Sequence, residues 1–230
     1  MAMYLGSKKV AVTNTIDKQV PSMKAFFEAG GKCKESTATS FEGCWQFGDT
    51  ANVTNMISMF SSCYNLTTIP QFDTSKVTNM SSMFANCSKL TTVHLFDTSK
   101  VTNMYSMFSS CSSLTTVPQF DTSNVTGMNY MFQDCSKLTV IPQFDTSNVT
   151  SMNYMFNYCS SLKEIHMINI NASLNISDST KFTREALLEI IGNLKAQTSG
   201  TKTLTMGATN LAKLTDEDKA IATNKGWTLA

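Results

Sequence analysis

The sequence has few charged residues and almost no net charge. Lys and Arg number 18, Asp and Glu number 17, and charged residues make up 15% of the chain, which leaves a formal charge of +1. A surface of this kind has no strong field with which to attract nucleic acid or an anionic membrane. We therefore expect no nucleic acid partner, and charge suggests no other partner.

Long apolar runs are also missing. No stretch approaches the roughly 20 apolar residues that a transmembrane helix needs, so we expect no membrane insertion. The opening residues contain Lys8 and Lys9 but not the apolar run of a secretory signal. From these residues we expect no signal peptide, and a protein that is soluble or part of an assembly.

Histidine is scarce, with His94 and His166 as its two occurrences. Nucleophilic catalysis requires a Ser or Cys that converges with a His and an orienting acid in a pocket. Two histidines in a regular array offer little from which to build such a site. The sequence therefore predicts a non-enzymatic protein without a cofactor.

What the sequence has in quantity is a 24-residue repeat. Five valines, ten methionines, five phenylalanines and five leucines keep one register, and the unit reads F-D-T-S-x-V-T-x-M-x-x-M-F-x-x-C-x-x-L-x-x-[VI]. Five of the seven cysteines mark the period: Cys63, Cys87, Cys111, Cys135 and Cys159. A fixed period of this length is the signature of a repeat architecture, in which each unit must stack on its neighbours to bury its apolar side.

Each unit predicts a turn of helix followed by a short strand. The apolar residues of one unit fall at helical spacing and share one face: Val77, Met80, Met83, Phe84 and Cys87. Asp73, Thr74 and Ser75 precede them and carry the oxygens that cap helix amides. Residues 90–93 are long enough for a strand that pairs with the same segment of the next unit.

The order and wording of these motifs resemble the leucine-rich repeats of BspA-type bacterial surface proteins, closely over residues 47–167. The resemblance implies an adhesive or host-contacting protein, and similar arrays occur in bacteriophage-encoded and protist surface proteins. Residues 4–12 resemble the opening segments of some phage tail-associated proteins, and residues 210–215 are similar to the end of repeat proteins found in prophages. A virion protein made in the cytoplasm would need no signal peptide.

The fold we predict is an α/β repeat. It is a leucine-rich-repeat-like right-handed solenoid with a parallel sheet on one face and short helices on the other, capped at both ends. Residues 1–22 form an N-terminal segment, 23–46 an N-terminal cap, 47–167 five repeats and 168–230 a C-terminal cap of alternating strand and helix. Within that last cap we predict helices over residues 182–194 and from a capping box at Thr215, with a strand over residues 201–206.

The repeated polar and sulfur-bearing residues are expected to serve packing and capping. The cysteine column lies beside Met and Phe, where a free thiol behaves as a small hydrophobe, and its spacing differs from that of zinc sites. Pairing of Cys33 with Cys44 stays open.

His94 and His166 share one repeat position three units apart, about 15 Å at the strand spacing, and so cannot bind one metal ion. An aspartate column could hold Ca²⁺ between units, although capping explains it more simply: Asp73, Asp97, Asp121 and Asp145.

Two sets of outward-facing residues are candidates for binding. The first, which we call the ladder, flanks the buried Ile or Val of each predicted strand: Thr68, Thr92, His94, Thr116, Glu164 and His166. The second, the tyrosine row, consists of Tyr105, Tyr130 and Tyr154. Exposed aromatics beside hydroxyls suit contact with a protein or a sugar, and plain surface is the alternative interpretation of both sets.

The sequence thus favours a recognition or adhesion module that binds a protein or glycan, displayed on a bacterial surface or a virion. In the virion setting it would be a phage receptor-binding or tail-associated protein. The alternative is a structural virion component that packs against other tail or capsid proteins. An enzyme would require a pocket that joins His94 to an acid and a hydroxyl.

Overall fold

The computed structural model describes residues 2–5, 8–11, 53–69 and 73–230. Strands β1 (Ala2–Leu5) and β2 (Lys8–Ala11) pair in antiparallel fashion, with Met3 opposite Val10. The predicted N-terminal cap at residues 23–46, including Cys33 and Cys44, lies outside the described residues.

Equivalent positions of successive 24-residue units are joined by parallel backbone bridges. One column of bridges runs through five units: Asn55, Asn79, Asn103, Gly127 and Ser151. Along the segment that follows the bridge, every second N–H donates to a carbonyl of the next unit, as from Ser58 to Ser81 at 2.9 Å and from Phe60 to Met83 at 2.8 Å. The same bonds recur one unit later, from Ser82 and Phe84. The units therefore stack in register.

The predicted helical segment of each repeat is a chain of turns, not a helix, in the described residues 53–69 and 73–167. The N–H groups that do not bond to the next unit turn back three residues, as from Met83 to Met80 and from Cys87 to Phe84. A helix would need consecutive N–H groups for its own i−4 carbonyls, and half of them are bonded to the neighbouring unit. The apolar spacing also fits a helix, because these turns place residues on one side at the same intervals.

Strand pairing is shorter than predicted. Within the described repeats, two-residue strands form at β3 (Val140–Ile141) and β4 (Glu164–Ile165), which pair in parallel. Earlier units are linked on this side by a single backbone bond per step, as from Thr115 to Thr91 at 3.2 Å.

Two phenylalanine columns form the centre of the core. Phe84, Phe108 and Phe132 stack on one another with ring centroids 5.5 and 5.7 Å apart and planes within 8°. Phe120 and its equivalents stack beside them, 6.1 Å from Phe108. Methionine, cysteine, valine and leucine columns fill the remaining space and are buried. The repeated apolar residues therefore pack between units, as predicted.

After the repeats the chain alternates strands and helices. Strand β5 (Leu174–Asn175) is followed by α1 (Arg184–Gly192), β6 (Lys202–Thr205), α2 (Gly207–Leu211), α3 (Asp216–Asn224) and β7 (Trp227–Leu229). The strands form a parallel sheet in the order β5-β6-β7. Helices α1 and α3 and strand β6 lie where the sequence predicts them, whereas α2 was not predicted.

Helix caps and one ion pair hold α1 and α3 in place. Thr183 accepts a hydrogen bond from the N–H of Ala186, and Thr215 and Asp218 form the predicted capping box. The buried Asp218 carboxylate also accepts two hydrogen bonds from the Arg184 guanidinium, at 2.8 and 2.6 Å. The start of α1 is thereby tied to the start of α3.

In the described part of the chain, the helices are all too short or too polar to cross a bilayer.

Candidate recognition surface

The ladder is mostly exposed. Five of its six residues are open to solvent: Thr68, Thr92, His94, Thr116 and Glu164. Glu164 belongs to β4, and the other four lie in irregular backbone that continues the same side of the stack. Leu95 is 59% exposed next to His94, where the next two units carry Gln119 and Gln143. The repeat pattern does not predict an exposed leucine on this side.

His166 is engaged within the protein at the end of the ladder. Its Nδ1 lies 2.7 Å from Oε1 of Glu189, and its Nε2 lies 3.2 Å from Oε2 of Glu164. The hydrogen bond with Glu189 raises the pKa of His166, partial burial opposes this, and Glu164 adds to it. Because Glu189 belongs to α1, His166 links the last repeat to that helix.

The tyrosine row is a continuous aromatic surface. Tyr130 lies between its two partners, edge-on to Tyr105 with centroids 5.4 Å apart and stacked on Tyr154 at 5.0 Å. Tyr105 is 42% exposed and Tyr154 is 51% exposed. Tyr130 is half-buried between these two exposed rings. Three successive units therefore contribute to the row, although Tyr105 occupies a repeat position one residue earlier than the other two.

The backbone under the row has an unusual conformation. Tyr130 and Tyr154 both have φ of +59°, in the left-handed region that non-glycine residues seldom adopt. The equivalent positions of the earlier units are Ser58, Ser82 and Ser106, with φ between 52° and 54°. At Ser58, Ser82, Ser106 and Tyr130, the N–H donates to a carbonyl of the next unit, so the conformation accompanies the bonds between units. Serine satisfies the backbone here, so stacking of the units does not require tyrosine.

Amides and hydroxyls border the row. Oδ1 of Asn129 accepts hydrogen bonds from the hydroxyl of Ser151 and from the N–H of Asn153. Within the described residues, the amide NH₂ of Asn129 and the side chain of Asn153 have no hydrogen-bond partner, nor do the three phenol hydroxyls of the row. These groups remain available to a ligand.

A shallow groove of about 330 Å³ lies on another part of the stack, and sequence reasoning missed it. Its lining comes from two successive units and the start of a third: Gln119, Phe120, Asp121, Thr122, Gln143, Asp145 and Ile168. The lysine that follows the D-T-S triplet at positions 76 and 100 is replaced by Asn124 and Asn148 in these units. Neither asparagine lines the groove, so the exchange is not a sequence signal for it.

The side chains of the aspartate column close local turns, whereas the sequence predicts helix caps at these positions. Asp97 accepts hydrogen bonds from the N–H and the hydroxyl of Ser99, and these bonds hold the pKa of Asp97 below its usual value. The buried Thr74 next to Asp73 donates its hydroxyl to the carbonyl of Asp97 in the next unit. In the part of the chain that the structure describes, no three His, Cys, Asp or Glu side chains cluster in a way that could hold a metal ion.

The cysteine column consists of thiols of low reactivity. All five cysteines of the column are buried, and Cys87, Cys111, Cys135 and Cys159 carry free thiols, as predicted. Each of the later four donates its S–H to a phenylalanine carbonyl of the preceding unit, for example from Cys111 to Phe84 at 3.1 Å. Burial raises the pKa of Cys111 to about 12. Because the thiolate is the nucleophile, these cysteines are unsuited to catalysis.

Comparison with protein families gives one match, found twice along the chain. The family model described as "Mycoplasma protein of unknown function, DUF285" matches residues 21–117 and residues 88–187. Together the matches span well over half of the 230 residues. The chain belongs to the DUF285 family. Comparison with curated proteins gives no match.

The DUF285 matches include every unit that contributes to the ladder and the tyrosine row. A family model that matches twice in succession is compatible with the stacked units seen here, in which equivalent positions bond to one another every 24 residues. The family description assigns no activity. Function has to be inferred from the surface.

Proposed function

We propose that the chain is a non-enzymatic recognition module that binds a partner through the tyrosine row. The stacked units form a right-handed solenoid of the BspA leucine-rich-repeat type, displayed on a cell surface. The family description names Mycoplasma, which supports a bacterial cell over a virion as the setting. The ladder contributes a second contact surface, centred on His94 and the exposed Leu95.

One observation carries this proposal. Three tyrosines from three units contact one another in an exposed row, at positions where serine is enough for the fold. Tyr105 and Tyr154 are exposed and Tyr130 is half-buried between them. Exposed aromatic side chains are typical of binding surfaces, because a tyrosine provides a large contact area with little loss of rotamer freedom. The backbone holds two of these rings at a left-handed conformation, which costs about 1–2 kcal/mol per residue.

Adhesion of coated beads to cultured epithelial cells tests the proposal. Beads that carry the chain should adhere, and the variant with Tyr105→Ser, Tyr130→Ser and Tyr154→Ser should not. Each substitution installs the residue of an earlier unit at the same repeat position, Ser81 for Tyr105 and Ser106 for the other two. The fold should therefore tolerate them.

Tyr64→Ser is the matched control. Tyr64 is 51% exposed, as is Tyr154, and its equivalents in the next four units are serines. Beads with this variant should adhere like the original chain. Equal adhesion by the triple variant, or no adhesion by the original chain, would contradict the proposal.

A further inference from the structure

We infer that the ligand of the tyrosine row is an uncharged glycan. This inference rests on the proposed recognition function and specifies the chemistry of the partner. Its basis is the combination on one face of aromatic rings, unpartnered amides and hydroxyls, and very few charges.

Charge excludes acidic ligands. Between Lys100 and Lys163 the sequence contains a single cationic residue, Lys137. The units that supply the row carry Asp121, Asp134 and Asp145 over the same stretch. A sialylated, sulfated or phosphorylated ligand would find no cluster of Lys or Arg with which to pair. The ligand must bind without charge complementarity of that kind.

The composition of the face also differs from that of the apolar core of a stable protein interface. Cores of protein interfaces are enriched in aromatic residues, Met and Arg and depleted in Ser, and their hot spots are dominated by Trp, Tyr and Arg. The row has the tyrosines, but its neighbours are Ser106, Asn129, Ser151 and Asn153. In the described units 101–162, the large hydrophobic side chains that are exposed are Tyr105, Tyr154 and Tyr158. None of them is aliphatic. A protein would find little apolar surface between the rings.

A neutral sugar satisfies what the face offers. The hydroxyls of a hexopyranose both donate and accept hydrogen bonds, and its C–H groups can contact the exposed edges of the rings. The ring faces between Tyr130 and Tyr154 are closed by their stacking, so a sugar chain along the row meets ring edges and phenol hydroxyls. The amide of Asn153, the NH₂ of Asn129 and the phenol hydroxyls supply the matching donors and acceptors. Successive rings are 5.4 and 5.0 Å apart, close to the advance per sugar in an extended glycan. The row therefore suits a chain of sugars that runs along the stack.

A glycan microarray tests this chemistry directly. The fluorescently labelled chain is applied to neutral oligosaccharides of glucose, galactose, mannose and N-acetylglucosamine, and to sialylated and sulfated oligosaccharides. Binding to neutral members is expected, with apparent affinity reduced about tenfold by Tyr130→Ser, the loss of roughly one good contact. Tyr64→Ser should leave the affinity unchanged. Binding confined to acidic members, insensitivity to Tyr130→Ser, or no binding to any member would overturn the inference.

Periodate treatment of the cells separates this inference from the proposed function. Periodate cleaves the vicinal diols of sugars and leaves the polypeptides of the cell surface in place. Adhesion that depends on the tyrosine row should disappear after this treatment. Tyrosine-dependent adhesion that survives both periodate and an excess of the free neutral oligosaccharide bound on the array would refute the glycan and leave the recognition function standing. Absence of adhesion to untreated cells would refute both. Circular dichroism of each variant verifies that its fold is retained.

Discussion

Stacking of phenylalanine rings between units should be measurable as stability in excess of burial. Phe108 and Phe156 are both fully buried, which makes them a matched pair. Phe108 stacks on Phe84, Phe132 and Phe120, at centroid distances of 5.5, 5.7 and 6.1 Å. Phe156 has one recorded ring partner among the described residues, Phe132, at 6.0 Å. The two positions thus differ by two ring contacts at equal burial.

Replacement of each residue by Leu removes the ring and keeps an apolar side chain. An aromatic pair contributes about 0.5–1.5 kcal/mol beyond the area that it buries. Phe108→Leu should therefore lower the free energy of unfolding by about 1–3 kcal/mol more than Phe156→Leu does, because it loses two more pairs. The part of the loss that comes from the change of volume is common to both variants and cancels in the comparison.

Urea denaturation followed by far-ultraviolet circular dichroism measures the difference. The slopes of the transitions must agree for the free energies to be compared, since the slope reports the surface exposed on unfolding. Equal losses in the two variants would refute the reasoning, because ring stacking would then add nothing to burial. A larger loss for Phe156→Leu would refute it as well.

Two further predictions concern single side chains. Cys111, with a pKa of about 12, should resist alkylation by iodoacetamide at pH 8 in the folded protein and react once urea unfolds the chain. Peptide mass spectrometry measures the labelling, and rapid labelling of the folded form would contradict the burial of Cys111. The pKa of His166 is raised above 6.5 by Glu189, so its contribution to stability is present below about pH 6.5 and is lost as the pH rises through the folded-state pKa. His166→Gln should remove this dependence from urea midpoints measured across that range, and an unchanged dependence would show that another group is responsible.

Much of the fold was predictable from the repeat, because each apolar column has one role in every unit. The path of the backbone was not. Helical spacing of Val77, Met80 and Met83 describes which side chains share a face, and both a helix and the observed turns satisfy it. The choice between helix and turns depends on the acceptors of alternate N–H groups. These acceptors lie in the next unit, about 24 residues away. A local pattern carries no information about such partners.

The candidate surface was predicted in part. The exposure of Tyr105 and Tyr154 follows from their positions between buried Met and Phe. Contact between the rings did not follow, since Tyr105 is one residue out of register with Tyr130, and only the turns bring the rings within 5.4 Å. The bond from His166 to Glu189 also escaped prediction, because it joins the repeats to a helix whose placement the repeat pattern does not determine.

The bonds between units have a consequence for how the array can change in length. Each unit offers its neighbour the same donors and acceptors at the same positions, as the recurring bonds from Ser58, Ser82 and Ser106 illustrate. Insertion or deletion of 24 residues in register leaves every junction with complementary groups on both sides. Recombination between the near-identical segments can therefore lengthen or shorten the stack by whole units. The number of tyrosines in the row, and with it the length of ligand contacted, can vary without any redesign of the core.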